Sequence, residues 1–242
     1  MLPFIQLGPL AINTPGLLLL IGFWLAVWLV EREGDRLGLR GTALSGALMV
    51  GLVGGLIAAR FAFAAAAPAA YIAEPWALLA PTLSALDLPF GLFIGAILFF
   101  FDTQRRQIAL LPALDALAPT LPLMAFALAL AQLAGGDAYG APANLPWSIY
   151  LWDEWRHPTQ IYAALAALAT LALWWRTRNT PLAPATRLPL LIGALALAQI
   201  GIEGLRGDSA LLVAGLRTGQ IVGLVLLAGC LWVIPKLQPA EK

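Results

Sequence analysis

"ALSGALMVGLVGGLIAARFAFAAA", Ala43 to Ala66, runs for 24 residues with a single charge, Arg60. Such a stretch is long enough to cross a bilayer as a helix, which takes about 20 mostly apolar residues because hydrocarbon offers unpaired backbone groups no partner. The rest of the chain repeats the pattern. Of 242 residues, 61% are hydrophobic and 11% charged, with a mean hydropathy of +0.85, against roughly 25% charged in an ordinary soluble domain. The fold class expected is all-α: one polytopic transmembrane domain over residues 1–242. Seven spans are expected, approximately Pro15 to Val30, Ala43 to Ala66, Leu88 to Phe101, Ile108 to Leu133, Thr159 to Trp175, Leu188 to Leu205 and Thr218 to Ile234. The third is short, with Ser84 to Leu86 available to lengthen it. Pro112, Pro119 and Pro122 are expected to kink or break the fourth, since proline removes an internal donor and clashes with the preceding turn.

Basic residues follow alternate spans. Arg32, Arg36 and Arg40 come after the first, Arg105 and Arg106 after the third, Arg176, Arg178 and Arg187 after the fifth, and Lys236 and Lys242 after the seventh. By the positive-inside rule these connections are cytoplasmic, which puts the N-terminus out and the C-terminus in. The connections Ala67 to Asp87, Ala134 to Pro158 and Arg206 to Arg217 then face outward, and Trp76, Trp147, Trp152 and Trp155 give the first two of them the aromatics expected at headgroup level. No basic residue precedes the first apolar run, so no cleaved signal peptide is expected.

Composition also excludes. A net charge of +1 points to no nucleic-acid partner. Cys230 is the only cysteine and His157 the only histidine, so neither an internal disulfide nor a cysteine- or histidine-rich metal centre is expected, and no cofactor is.

Ten of the fourteen basic residues are used by cytoplasmic connections, which leaves Arg60, Arg156, Arg206 and Arg217 in the outward half. Glu74, Asp87, Asp137, Asp153, Glu154, Glu203 and Asp208 fall in the same half. Charge inside a span is costly and usually faces a cavity, a partner or a pathway. Arg60 and Glu203, each about one turn inside its span, are therefore candidates, with a buried ion pair or snorkelling to headgroups as the plain alternative. Asp115 reads as a polar kink residue on the cytoplasmic side.

Three outward patches concentrate the rest. In "EWRHPTQIY", Glu154 to Tyr162, Pro158 pushes His157 out of the helical region and starts a helix at Thr159. Thr159 and Gln160 are expected to serve the orphan N–H groups of that first turn. Arg156 beside a helix N-terminus favours an anion such as a lipid phosphate. The plain alternative is a capped helix with His157 in solvent. In "IEGLRGD", Ile202 to Asp208, Glu203 and Arg206 are three apart and can pair, with Gly207 and Asp208 ending the helix. Arg217, Thr218, Gly219 and Gln220 open the last span. Here capping plus a rim salt bridge is the alternative. In "LAGGDAYGAP", Leu133 to Pro142, three glycines around Asp137 and Tyr139 make a tight loop.

These patches, with Ala59, Arg60 and Phe63 in the second span, resemble the prolipoprotein diacylglyceryl transferases of bacterial inner membranes. His157, Pro158, Thr159, Gln160 and Tyr162 are similar to that family's His-Pro-Ser/Thr-Gln-Leu-Tyr-Glu signature, with Ala163 at its last position. Glu203, Arg206, Asp208 and Gln220 resemble its C-terminal Glu-x-x-Arg-x-Asp stretch and following glutamine. The resemblance implies transfer of a diacylglyceryl group from phosphatidylglycerol to the thiol of a lipobox cysteine in a preprolipoprotein, in the bacterial cytoplasmic (inner) membrane. It implies Asp137, His157 and Arg206 as catalytic groups, with Asp137 needing burial to act as a base. Arg60, Arg156, Gln160, Tyr162, Glu203, Arg217 and Gln220 would bind substrate. The chain also departs from the pattern: Phe90 stands at a family histidine, and Ala129 and Gln199 stand at family arginines. A catalytically inactive relative that binds phospholipid or docks a partner is the alternative reading.

Overall fold

A computed structural model describes residues 4–7, 10–79, 85–212 and 215–237. Ser84 and Lys242 lie outside the described residues. The chain divides into two compact units, residues 1–30 with 114–242, and residues 31–113.

The first unit opens with an antiparallel hairpin, β1 (Phe4–Leu7) and β2 (Leu10–Asn13), which runs straight into α1 (Thr14–Arg36). Asn13 caps that helix, its Oδ1 accepting from Gly16 N–H at 2.7 Å. α1 continues into the second unit.

The second unit is built on α2 (Gly41–Ala66) and α4 (Leu88–Arg105), which pack along a glycine seam. A Cβ on Gly55 would lie 2.6 Å from the Gly91 carbonyl oxygen, and one on Gly95 would lie 2.8 Å from the Gly51 carbonyl oxygen. The two backbones thus touch, an approach that small residues permit where no hydrophobic force drives helices together. The short α3 (Pro68–Ala73) and a 3-10 turn, Pro75–Leu79, lead toward α4. Asp87 caps α4 by accepting from Phe90 N–H at 3.0 Å. At the other end, Arg40 donates to the Arg106 carbonyl, Arg106 pairs with Asp102 at 2.5 Å, and Ser45 donates to Glu31 at 2.6 Å.

The fourth apolar run is two helices, α5 (Leu110–Leu117), which begins in the second unit, and α6 (Thr120–Gly135) in the first. Only Pro119 breaks the run. Pro112 and Pro122 are each the third residue of a helix, where the missing N–H has no internal partner to lose. In the first unit α6, α7 (Thr159–Thr177), α8 (Arg187–Gly204) and α9 (Thr218–Leu237) pack in sequence. Asp115 is not a kink residue. It is buried, accepts from the backbone N–H groups of Ala185 and Arg187 at 2.9 Å each, and lies 3.4 Å from the Arg187 guanidinium, so it closes the α7–α8 connection.

The architecture is helical with two small hairpins that the all-α expectation omitted, the second being β3 (Ile149–Leu151) and β4 (Glu154–Arg156). Its turn residues, Trp152 and Asp153, take φ of 53° and 62°, a region that aspartate visits readily and tryptophan rarely. Among the described residues, six helical runs are long and apolar enough to cross a membrane: α1, α2, α4, α5 with α6, α8 and α9. α7 has the length, at 19 residues, but Thr159 and Gln160 at its start and Trp174 to Arg176 near its end dilute its apolar content.

The glycine seam gives a direct test. Gly55→Val is expected to destabilise the purified protein by roughly 1–3 kcal/mol, the usual cost of overpacking, read as a lower midpoint of thermal unfolding in detergent. Gly201→Ala, at a helical site with no atom within 4 Å of the added carbon, is expected to leave the midpoint unchanged or raise it.

Candidate active site

Three segments of the first unit that are distant in sequence meet edge to edge. Ala141 N–H donates to the Leu205 carbonyl at 2.8 Å, Gly207 N–H to Tyr139 at 2.9 Å, His157 N–H to Ala141 at 3.1 Å and Ala143 N–H to Trp155 at 2.8 Å. Gly140 sits opposite Arg206, and Pro142 opposite Arg156. Only glycine fits at 140, because an added Cβ would fall 2.5 Å from the His157 Cβ and closer still to its carbonyl oxygen. The three patches singled out in the sequence are therefore one joint.

The first turn of α7 holds that joint from below. Thr159 Oγ1 donates to the Ala138 carbonyl at 2.6 Å and Gln160 Nε2 to the Asp137 carbonyl at 2.7 Å, with both side chains buried. Contrary to the expectation from sequence, these side chains do not cap their own helix. They serve carbonyls of the loop that leaves α6 through the left-handed Gly136, where the helix ladder has ended. His157 is half-buried, its Nδ1 3.5 Å from Tyr162 Oη, which in turn accepts from Trp147 Nε1 at 2.8 Å. The Asp137 side chain is exposed, so the burial expected around a carboxylate base is not there.

Each arginine is heavily engaged. Arg156 donates to the carbonyls of Leu151 at 3.0 Å and Gly140 at 3.3 Å, pairs with Glu154 at 2.5 Å and lies 4.9 Å over the Tyr139 ring. Arg206 holds Asp208 through two bonds of 2.8 Å and reaches buried Glu203 at 3.5 Å. The hydrogen bond and charge of Asp208 hold the Arg206 guanidinium above its ordinary pKa, against burial. Burial alone would raise the Asp208 carboxyl, but the hydrogen bonds and charge of Arg206, with backbone bonding, outweigh it and hold the group below the usual aspartate value. Glu203 also accepts from Gln199 Nε2 at 2.9 Å, and its carboxyl carbon would be 2.6 Å from a Cβ on Gly219. Arg217 donates to Ser209 O at 2.6 Å and Oγ at 2.9 Å, while its N–H is taken by Gln220 Oε1 at 3.0 Å. Arg60 belongs to the second unit, where it donates to the carbonyls of Leu78 and Ala85 at 3.0 Å each and to that of Ala77.

Beside the joint, α6 to α9 line an open cavity of about 450 Å³. Leu121, Ile192 and Leu226 line its apolar part. Gln132, Thr159, Gln199 and Arg206 give it one polar end, at the loop ends of α6 and α8. Gln132 and Gln199 were not among the residues picked from sequence as candidates, although each is an amide near the C-terminal end of its helix with apolar residues on both sides.

A sequence model of the prolipoprotein diacylglyceryl transferases matches residues 3–235. The chain belongs to the prolipoprotein diacylglyceryl transferase family. A relative from Gloeobacter violaceus is 30% identical over 94% of this chain and 90% of its own length. One from Synechococcus elongatus is 28% identical over 95% of this chain and 86% of its own, and one from Streptococcus suis 27% over 95% and 90%. All three are named phosphatidylglycerol–prolipoprotein diacylglyceryl transferases. The family signature from His157 to Tyr162 is thus the element that clamps the joint, and Glu203, Arg206 and Asp208 form its charged side.

Two outcomes follow from this geometry. Gly140→Ala is expected to separate the three segments, seen as faster proteolysis between residues 137 and 158 than in the wild type. Asp208 has a folded-state pKa below its unfolded value, so its bond to Arg206 contributes stability above about pH 4 that is lost as pH falls through the lowered value. The gap in unfolding midpoint between wild type and Asp208→Asn should therefore be open at pH 7 and close as pH falls through the lowered folded-state value.

Proposed function

We propose that this chain is a diacylglyceryl transferase of the bacterial inner membrane, moving the diacylglyceryl group of phosphatidylglycerol to the cysteine thiol of a prolipoprotein. The cavity carries the reading: an apolar chamber among helices with its polar groups gathered at one end is the shape of a site for one end of a lipid. Membership of the family and the printed names of its relatives supply the substrates.

The polar end faces outward in this reading, with the N-terminus out, the C-terminus in and α7 as a seventh span. α7 packs against both α6 and α8, so less of it needs to face lipid and its lower hydropathy is affordable. The thiol gives its proton to His157, whose imidazole is half-exposed beside Tyr162, or to Asp137. The sulfur then bonds to the terminal glyceryl carbon as that carbon's bond to the phosphate oxygen breaks, and glycerol phosphate departs with the bonding pair. Arg206 Nη1, whose one contact among the described residues is with Glu203 at 3.5 Å, turns to the leaving phosphate as charge develops there. Arg156, Arg217 and Gln220 shape the approach, while Glu203, Gln160 and Tyr162 keep these groups in place. Arg60 contributes by holding the segment before α4.

Expression in cells depleted of their own transferase tests this. The wild-type chain should restore lipid attachment to a lipobox cysteine. Arg206→Ala should lower attachment roughly 100-fold, the scale of losing one donor to developing charge, and His157→Ala by about 100-fold or more. No attachment with a well-expressed wild type would overturn the proposal.

A further inference from the structure

We propose that Gln132 and Gln199 read hydroxyl groups on the headgroup of the lipid in this cavity and so set a preference for a polyol headgroup. The inference rests on the lipid-transfer reading of the same cavity and names what selects the lipid.

Charge at the polar end selects little. The Arg206 guanidinium is already answered within the protein, by Asp208 at 2.8 Å and Glu203 at 3.5 Å. Arg156, on the joint beside it, is balanced by Glu154. What remains is hydrogen bonding, and two neutral amides face the space. The Gln199 amide has a defined orientation. Its Nε2 donates to Glu203 Oε2 at 2.9 Å, so Oε1 is the atom left for the cavity. That oxygen wants a donor. The side chain of Gln132 makes no hydrogen bond to the protein among the described residues, so its amide can both accept and donate. An acceptor on α8 and a donor–acceptor pair on α6 suit adjacent hydroxyls, which also give and take.

Location strengthens the case. Between Leu121 and Gly135 on α6, Gln132 is the only side chain that is not apolar, and between Leu188 and Ile202 on α8 so is Gln199. A polar side chain within a membrane helix is costly unless it is used. Thr159 is already committed to the Ala138 carbonyl. A phosphate ester whose headgroup lacks hydroxyls would strip water from both amides and return nothing, and such sites reject analogues without the matching group.

The test compares phosphatidylglycerol with phosphatidylmethanol, which carries the same charge but no headgroup hydroxyl, in nanodiscs with matched acyl chains. Lipid retained by the full-length protein is counted by native mass spectrometry. The wild type should retain phosphatidylglycerol about tenfold better, the scale of one or two hydrogen bonds. Gln132→Leu alone should cut that preference to about threefold, and Gln132→Leu with Gln199→Met should abolish it. Phosphatidylmethanol retention should stay constant throughout, which also reports that the cavity is intact. Equal retention of both lipids by the wild type, or an undiminished preference in Gln132→Leu, overturns the inference while lipid binding itself survives. Retention of neither lipid by the wild type overturns it together with the transfer reading.

Discussion

Backbone hydrogen bonds at Gly140 and its neighbours are the constraint on which the site depends. A helix ending near a membrane surface leaves carbonyls and N–H groups without partners, and these must be satisfied somewhere. Here the carbonyl of Leu205, just past the end of α8, accepts from Ala141, and the carbonyl of Ala141 accepts from His157 one residue before Pro158. The ends of three helices are thereby solved together. His157 and Arg206 acquire their separation from that shared backbone, not from any contact between their side chains. Such a joint tolerates no side chain at its centre, which is why a glycine stands there.

Charge around the joint follows the same economy. Arg156, Arg206 and Arg217 are each answered by a carboxylate or by a carbonyl, and Arg156 by both. Glu203 shows how far this goes. It is buried, yet it receives Gln199 and lies within reach of Arg206, and it packs against Gly219 at the start of α9. A carboxylate at a helix N-terminus is favourably placed, so the same group steadies α8, α9 and the guanidinium between them. The result is a positive group aimed by its neighbours rather than a loose cluster of positive charge. Aiming is what transition-state stabilisation requires, since donors that need no rearrangement act where charge appears.

Much of this was legible in the sequence, for physical reasons that also mark where reading stopped. Long apolar runs betray membrane helices because hydrocarbon permits few alternatives, and six of the seven expected spans are apolar enough by that measure. The pairing of Glu203 with Arg206 follows from helical spacing and is present. Proline was read too literally: its effect depends on its position in the helix, and Pro112 and Pro122 sit where no bond is lost. Thr159 and Gln160 were assigned to their own helix because local rules see only neighbours in the chain. Their true partners, the carbonyls of Ala138 and Asp137, lie 21 and 23 residues away. The short β3–β4 hairpin escaped because, of the two positive-φ residues in its turn, only Asp153 is of a type that favours that region.

α7 brings these strands of argument together. By composition it is the weakest of the long helices, because its first turn carries Thr159 and Gln160 and its last carries Trp174, Trp175 and Arg176. Each end is spent on something other than apolar content. The first turn ties the loop of α6 to the joint, and Trp174 at the far end enters the buried cluster with Ala118 and Leu191. Packing on both flanks, against α6 and α8, replaces lipid with protein around the polar positions, so their burial is met by hydrogen bonds instead of hydrocarbon. The helix that is least membrane-like by hydropathy is therefore the one that carries the family signature, and its polarity is a consequence of the work its first turn does.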